Sequence, residues 1–156
     1  MDIKELKPTS IWHYFDAITG VPRPSKKEER IREFLLNFAK EQNLEVKVDK
    51  TGNVVITKEA TPGCEGAPTV ILQAHMDMVC EKNGDVKHDF ERDPIETYID
   101  GEWVKARGTT LGADNGIGMA AAMAVLADEE LKHGRIQALF TVDEETGLTG
   151  AFGLES

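Results

Sequence analysis

Two short apolar stretches decide the fold of this 156-residue chain: Thr69-Val70-Ile71-Leu72-Gln73-Ala74 and Ile136-Gln137-Ala138-Leu139-Phe140-Thr141-Val142. Each has the length and composition of a buried β-strand, and the first is typical of a central strand. Between them, residues 115–126 are small or helix-favouring, which predicts a helix that packs closely on a sheet. Buried strands that alternate with helices predict an α/β fold with an open mixed sheet flanked by helices.

The remaining elements are shorter. Residues 10–18 favour a first helix. A second helix is predicted to open at Ser25, because Ser25 and Glu28 have the spacing of a capping box. Its buried face is marked by four apolar residues at helical intervals, Ile31, Phe34, Leu35 and Phe38. Alternating residues around Gly52 and around Asp100-Gly101 predict two β-hairpins, over residues 44–57 and 98–104.

The overall charge restricts the classes of partner. With 28 acidic and 18 basic side chains, the net charge of −10 repels nucleic acid and anionic lipid, so we expect neither a nucleic acid nor a membrane as partner. The charged start of the chain and the lack of a long apolar run favour the cytoplasm. Cys64 and Cys80 are expected to be free thiols, and Cys80 is also a weak ligand candidate because it follows His75 closely.

Candidate ligands stand where the two predicted strands end. His75 follows the first strand, and Glu144 and Glu145 follow the second, while Asp114 precedes the small-residue helix in a glycine-rich segment. Sites in open α/β sheets form beyond the carboxyl ends of the strands. Separate parts of the chain are therefore expected to meet at one edge of the sheet.

The chemistry of these residues suits a pair of divalent metal ions. Zinc accepts imidazole nitrogen and carboxylate oxygen, and one carboxylate can bridge two metals, a role we assign to Asp114. His75 is then the ligand of one metal and Glu145 that of the other. Glu144 is the candidate general base, and Asp77 supports His75 by accepting its second imidazole N–H. Manganese or cobalt can replace zinc in such a ligand set.

Each motif also has a simpler explanation. His-x-Asp is common in loops, and paired glutamates usually face solvent. His13 and His133 are best explained by packing or solvation, whereas His88 lies in a loop that can reach the site or the substrate. The segment 108–113 does not fit a phosphate-binding loop, since no lysine and hydroxyl residue follow its second glycine.

Three segments together carry a family resemblance: Ala74-His75-Met76-Asp77-Met78-Val79, Gly108-Thr109-Thr110-Leu111-Gly112-Ala113-Asp114-Asn115-Gly116 and Asp143-Glu144-Glu145-Thr146-Gly147. They resemble the dinuclear-zinc aminoacylase and carboxypeptidase superfamily of metallopeptidases. Within it, the chain is similar to the bacterial aminoacyl-histidine dipeptidases, also called peptidase D or carnosine-type dipeptidases. The resemblance extends over essentially the whole chain.

The resemblance implies cytosolic hydrolysis of Xaa-His dipeptides by a homodimer with two divalent metals. The leading hypothesis is metal-assisted hydrolysis, in which a hydroxide bridging the metals would attack the scissile carbonyl and Glu144 would carry the proton. His75 and Glu145 are carried over as terminal ligands, Asp114 as the bridge and Asp77 as the support of His75. Because the peptide bond after the bridging aspartate is often cis in such enzymes, one is predicted at Asp114–Asn115.

The ligand set within residues 1–156 is one ligand short at each metal, since a catalytic zinc normally has three protein ligands. The resemblance places the others in a later aspartate and a histidine near the end of a longer chain. We therefore expect residues 1–156 to be the N-terminal part of a catalytic domain that is incomplete at its C-terminus and lacks the lid and dimerisation domain. On its own this part is expected to bind metal weakly and to hydrolyse little.

Two other functions remain open at this stage. A non-catalytic binding or assembly module with this fold would have no need of metal. A relative that hydrolyses N-acyl amino acids or other small peptides would share every motif within these residues.

Overall fold

A four-stranded mixed sheet forms the centre of the structure, a computed structural model that describes residues 2–154. The strand order is β1-β2-β6-β3, and a separate hairpin pairs β4 with β5. The strands are β1 Glu45–Val48, β2 Val54–Lys58, β3 Val70–His75, β4 Thr97–Asp100, β5 Trp103–Ala106 and β6 Ile136–Thr141. Both predicted hairpins and both predicted apolar strands are present.

The pairing of β3 with β6 is parallel, whereas β1 with β2 and β2 with β6 are antiparallel. Along β6, the side chains of Ile136, Ala138 and Phe140 are buried in alternation with less buried neighbours, which is the period of a strand with one face on the core. In the parallel pair, His75 lies opposite Thr141. The segments that follow β3 and β6 therefore leave the sheet at the same end.

The α-helices within residues 2–154 are α1 Thr9–Thr19, α2 Glu29–Glu41, α3 Ala113–Ala127 and the short α4 Thr149–Phe152. Helix α3 contacts β3 and β6, α1 packs on α3, and α2 contacts β1 and β2. The buried residues of α3 include Met119, Ala120, Ala122 and Met123, as expected for a helix that approaches the sheet closely. The predicted open mixed α/β sheet flanked by helices is confirmed. None of the helices in residues 2–154 combines the length and apolarity needed to span a bilayer.

The predicted capping box is wrong. Helix α2 begins at Glu29, four residues after Ser25, and no side chain caps its first turn. The hydroxyl of Ser25 instead donates to Asp77, and Glu28 accepts N–H groups that lie outside the helix. Spacing alone indicated a local pair, but both side chains find partners far away in the sequence.

The position of β3 also differs from the prediction of a central strand. Within the described part of the chain it lies at the edge of the sheet, with Val70 and Ile71 half or more exposed. Its apolar composition is nevertheless that of a strand covered on both sides. The mismatch between composition and exposure indicates a surface suited to further packing.

Candidate metal centre

The candidate site lies at the carboxyl ends of β3 and β6. His75 is the last residue of β3, and the loop that follows β6 carries Glu144 and Glu145. A hydrogen bond from the Met76 N–H to the Thr141 carbonyl, 2.7 Å long, continues the ladder just past His75. The parallel pairing therefore brings the two motifs together, as predicted from strand ends.

The third part of the site comes from the start of α3. Gly112 precedes this helix in a left-handed conformation, with φ of 70°, and the peptide bond between Asp114 and Asn115 is cis. Both Asp114 and Asn115 depart from helical geometry, so the regular helix starts after them. The predicted cis peptide is confirmed. Asp114 thus projects from the first turn, with its side chain 86% exposed.

Three predicted metal ligands converge at this edge. Ligand atoms of His75, Asp114 and Glu145 all lie within 4.8 Å of one another. Nε2 of His75 is 3.0 Å from Oδ1 of Asp114 and 3.9 Å from Oε2 of Glu144. Such spacing suits nitrogen and oxygen donors that bind an ion at about 2.0–2.2 Å. The residues therefore fit a divalent metal centre.

The orientation of His75 follows from the acceptors around its other nitrogen. Nδ1 lies 3.0 Å from the carbonyl oxygen of Asp77 and 3.3 Å from Oδ1 of the same residue. Since both atoms are acceptors, Nδ1 carries a hydrogen. Nε2 is then the nitrogen that faces Asp114, and a metal bound there would replace the hydrogen that Nε2 carries in the charged imidazole.

Asp77 is a fully buried carboxylate that holds several parts of the site at once. Its Oδ1 accepts the N–H of Glu144 at 3.0 Å. Its Oδ2 accepts the N–H of Glu145 at 3.1 Å and the hydroxyl of Ser25 at 2.7 Å. Asp77 therefore connects the histidine with the backbone of the paired glutamates.

The charges of the site influence one another. Burial disfavours the charged form of His75, but hydrogen bonds to Asp77 and Asp114 outweigh it and raise the pKa of the imidazole to about 9. Burial also raises the pKa of Asp77, yet His75, the loop N–H groups and Ser25 together hold it well below its ordinary value. At Glu145, burial raises the pKa, with neighbouring carboxylates adding to the effect. Crowded carboxylates of this kind create the negative potential that attracts a cation.

A second group of side chains contains only acids and is separate from the ligand group of His75, Asp114 and Glu145. The side chains of Glu28, Asp77 and Asp143 are buried and approach within 4.8 Å of one another. Their carboxylates accept hydrogen bonds from the protein itself: Glu28 from two backbone N–H groups, and Asp143 from the hydroxyls of Thr146 and Thr149 at 2.5 Å each. All three residues are buried, and their hydrogen bonds support the loop structure.

Arg23 ties the two halves of the site together. Its side chain is 2% exposed, and its guanidinium donates from Nη1 to the carbonyls of Met76 and Asp77 and from Nη2 to the carbonyl of Gly112. Burial lowers the pKa of Arg23 to about 10, so it stays charged at neutral pH, with Asp77 as a nearby counter-charge. A Cβ at Gly112 would lie 2.5 Å from Nη2, so only glycine fits beside this contact.

Other candidates from the sequence lie outside this group. The Sγ of Cys80 approaches the carbonyl of Met78 at 3.5 Å, and Cys64 and Cys80 are both free, as predicted. His88 packs edge-on against Phe90, and His133 is buried with Nδ1 2.6 Å from the Gly134 carbonyl. Neither histidine joins the ligand group found among residues 2–154.

Sequence reasoning missed Arg23, the contact of Ser25 with Asp77 and the contact of Glu28 with the backbone of Asp143. Arg23 stands between Pro22 and Pro24, a pattern that indicates only a break between helices. A buried partner 50 or more residues away leaves no local signal. Ser25 and Glu28 did stand out, but their spacing favoured a local explanation.

Comparison with known proteins identifies the family. A profile of the peptidase family M20/M25/M40 matches residues 71–155, more than half of the chain and the stretch that carries all five predicted site residues. The chain belongs to this family. Peptidase M20 membership agrees with the resemblance inferred from the motifs.

Individual proteins match over nearly the whole chain. The chain is 54% identical over 154 residues to the cytosol non-specific dipeptidase of Escherichia coli, covering 99% of this chain and 32% of that protein. In structure it is similar to aminoacylhistidine dipeptidase from Vibrio alginolyticus, with a TM-score of 0.98, 57% identity and coverage of 100% and 32% of the two chains. A tripeptidase from Staphylococcus aureus matches with a TM-score of 0.79 and 26% identity, covering 97% and 40%. The chain thus spans about a third of the length of the Escherichia coli and Vibrio alginolyticus proteins.

The arrangement around Arg23 leads to a stability prediction. In Arg23→Lys, one ammonium cannot reach all three carbonyls, so at least one buried acceptor loses its partner. We expect the free energy of unfolding to fall by about 1–3 kcal/mol. Arg30→Lys, at an exposed position of α2, is the matched control and should change it by less than about 0.5 kcal/mol. Urea denaturation measures both, and equal stability of the two variants would contradict the role of Arg23.

Proposed function

We propose that the chain carries the N-terminal part of a metallopeptidase site that hydrolyses dipeptides, with Xaa-His dipeptides as the leading substrate class. The single observation that carries the proposal is the convergence of His75, Asp114 and Glu145 beside Glu144 at one edge of the sheet. The names of the Escherichia coli and Vibrio relatives support a dipeptide as substrate. The tripeptidase relative makes other short peptides the main competing class.

Two divalent metal ions, with zinc as the leading choice, fit this donor set. Asp114, with two carboxylate oxygens and an exposed side chain, is the residue that can serve both ions, while His75 and Glu145 serve one each. When bound, such ions polarise a peptide carbonyl and make water more acidic. Manganese and cobalt accept the same mixture of nitrogen and oxygen donors.

The residues of the chain divide the remaining work. Glu144 is the proposed general base: its side chain is 37% exposed, close to Nε2 of His75, and can take a proton from the attacking water and pass it to the leaving amine nitrogen. Asp77 orients His75 through Nδ1 and holds the backbone of Glu144. In the glutamate pair, Glu145 binds the metal and Glu144 moves the proton.

We further propose that residues outside 1–156 complete the two coordination spheres. Three ligands within the described residues leave each ion with two protein ligands when Asp114 is shared, one fewer than a catalytic zinc normally has. The exposed apolar edge of β3 is a suitable surface for further strands. The coverage of only 32% of the dipeptidase relatives agrees with this. A cytoplasmic location and a homodimeric complete protein belong to the same proposal.

The first test concerns the general base. In a complete form of the protein, Glu144→Gln should reduce kcat by about 10²–10⁴-fold, because the amide cannot accept the proton of the water. Metal content, measured by elemental analysis, should stay near that of the wild type. Glu129→Gln is the control, since it removes the same charge at an exposed position of another loop. Substantial activity of Glu144→Gln would remove Glu144 from this role.

The second test concerns the bridge. Asp114→Asn should weaken the binding of both metal ions, whereas His75→Ala and Glu145→Ala should each mainly weaken one. We expect the affinity for each affected metal ion to fall by at least about 10- to 100-fold. Changing even a residue that only hydrogen-bonds a metal ligand has an effect of this size. Competition with a chromogenic chelator resolves the two binding steps. Loss of a single ion in Asp114→Asn would contradict a bridging carboxylate.

The third test uses residues 1–156 alone. Because each ion would have only two protein ligands, we expect weak zinc binding by titration calorimetry and little or no turnover of Xaa-His dipeptides. Asp114→Asn in the same chain provides the background signal. Stoichiometric binding of two zinc ions together with dipeptide hydrolysis would refute the proposal that further residues complete the site.

A further inference from the structure

The backbone of the glutamate loop is held by two buried carboxylates. Three consecutive N–H groups donate to them: that of Asp143 to Glu28 at 2.9 Å, and those of Glu144 and Glu145 to Asp77 at 3.0 and 3.1 Å. Asp77 belongs to the proposed site through His75. Glu28 touches none of the proposed metal ligands, and its role is not explained by the reaction.

The burial of Glu28 supports a structural role for its hydrogen bond with the Asp143 N–H. The residue is 6% exposed and sits at the N-terminal boundary of α2, yet its side chain makes no capping bond to that helix. Its Oε1 accepts instead the N–H groups of Asp143 and Lys26. Burial raises the pKa of Glu28, while these two hydrogen bonds oppose the rise. A buried carboxylate is costly unless hydrogen bonds compensate for lost hydration.

The conformation of the loop explains why its first N–H matters. Asp143 has φ of 48°, a left-handed conformation that is uncommon outside glycine. A left-handed residue within a turn directs successive N–H groups into one concavity that binds an anion. Here the anions are the carboxylates of Glu28 and Asp77. Glu28 thus holds the residue at which the chain turns before Glu144.

The other side of the same turn is held independently. The carboxylate of Asp143 accepts the hydroxyls of Thr146 and Thr149, which closes the loop after the glutamates. Because hydrogen bonds hold both sides of the turn, the peptide planes before and after Glu144 are fixed in orientation. The two neighbouring glutamate side chains can then point to different places, as a base and a ligand require.

We propose that Glu28 is a positioning residue of the metal centre: by accepting the N–H of Asp143, it fixes the backbone from which Glu144 and Glu145 project. The inference rests on the proposed function for its catalytic consequence. Its structural part, the link from Glu28 to the loop, stands on the hydrogen bonds alone.

The structural part is tested by amide hydrogen exchange, measured by NMR on the chain. Glu28→Ala should increase the exchange rate of the Asp143 amide by about tenfold or more relative to the Phe140 amide, which reports on opening of the sheet. Glu29→Ala, one residue along and exposed, is the matched control and should leave the ratio unchanged. An unchanged Asp143 amide in folded Glu28→Ala would overturn the proposal.

The functional part is tested on the complete metal-loaded protein by comparing two variants. Glu28→Ala should lower kcat by about 10- to 100-fold with little change in KM, and should alter the visible spectrum of the cobalt-substituted form. Glu28→Gln retains an oxygen that can accept both N–H groups and should restore most of the loss. Equal defects in the two variants, or wild-type kcat in Glu28→Ala, would overturn the proposal.

The two parts separate failure of this inference from failure of the proposed function. If the wild-type protein binds metal but hydrolyses no short peptide, the dipeptidase proposal fails. The exchange rate of Asp143 and the cobalt spectrum still decide whether Glu28 positions the loop.

Discussion

The parallel pairing of β3 with β6 is the constraint on which the rest of the structure depends. It places His75 opposite Thr141, so that the chain leaves both strands at one edge and the histidine motif meets the glutamate loop. Helix α3 packs on the same two strands and brings Asp114 to that edge. A change of register by one residue would turn His75 to the other face of the sheet and separate the ligands.

Buried charged groups then convert this proximity into a defined geometry. Arg23 joins the end of β3 to the start of α3, Asp77 joins His75 to the glutamate loop, and Glu28 holds the turn before that loop. Each of these side chains forms hydrogen bonds with main-chain atoms of loops, where no neighbouring strand provides a partner. Because such contacts are directional, they restrict the loops more strongly than apolar packing would. The site is therefore assembled largely from hydrogen bonds to main-chain atoms.

The agreement between sequence and structure differs between kinds of feature. The two apolar strands, the small-residue helix and both hairpins were predictable, because each depends on local composition and periodicity. The convergence of His75 and Glu145 was predictable from strand ends, that of Asp114 from its place before the small-residue helix, and the cis peptide from the family resemblance. The capping box was wrong because the Ser25 and Glu28 side chains form bonds more than 50 residues away. The edge position of β3 was likewise not visible in its apolar composition.

The sequence by itself determined the fold class, the identity of the candidate ligands and the family of peptidases to which the chain belongs. Those features are carried by residue type, by spacing and by short motifs. Only the tertiary structure decided that Arg23, Ser25 and Glu28 contact the segments that carry the candidate ligands, and that Asp77 contacts the loop as well as the histidine. The physical reason is that a hydrogen bond between distant segments depends on how the sheet and helices pack, and neither partner carries a local sign of it.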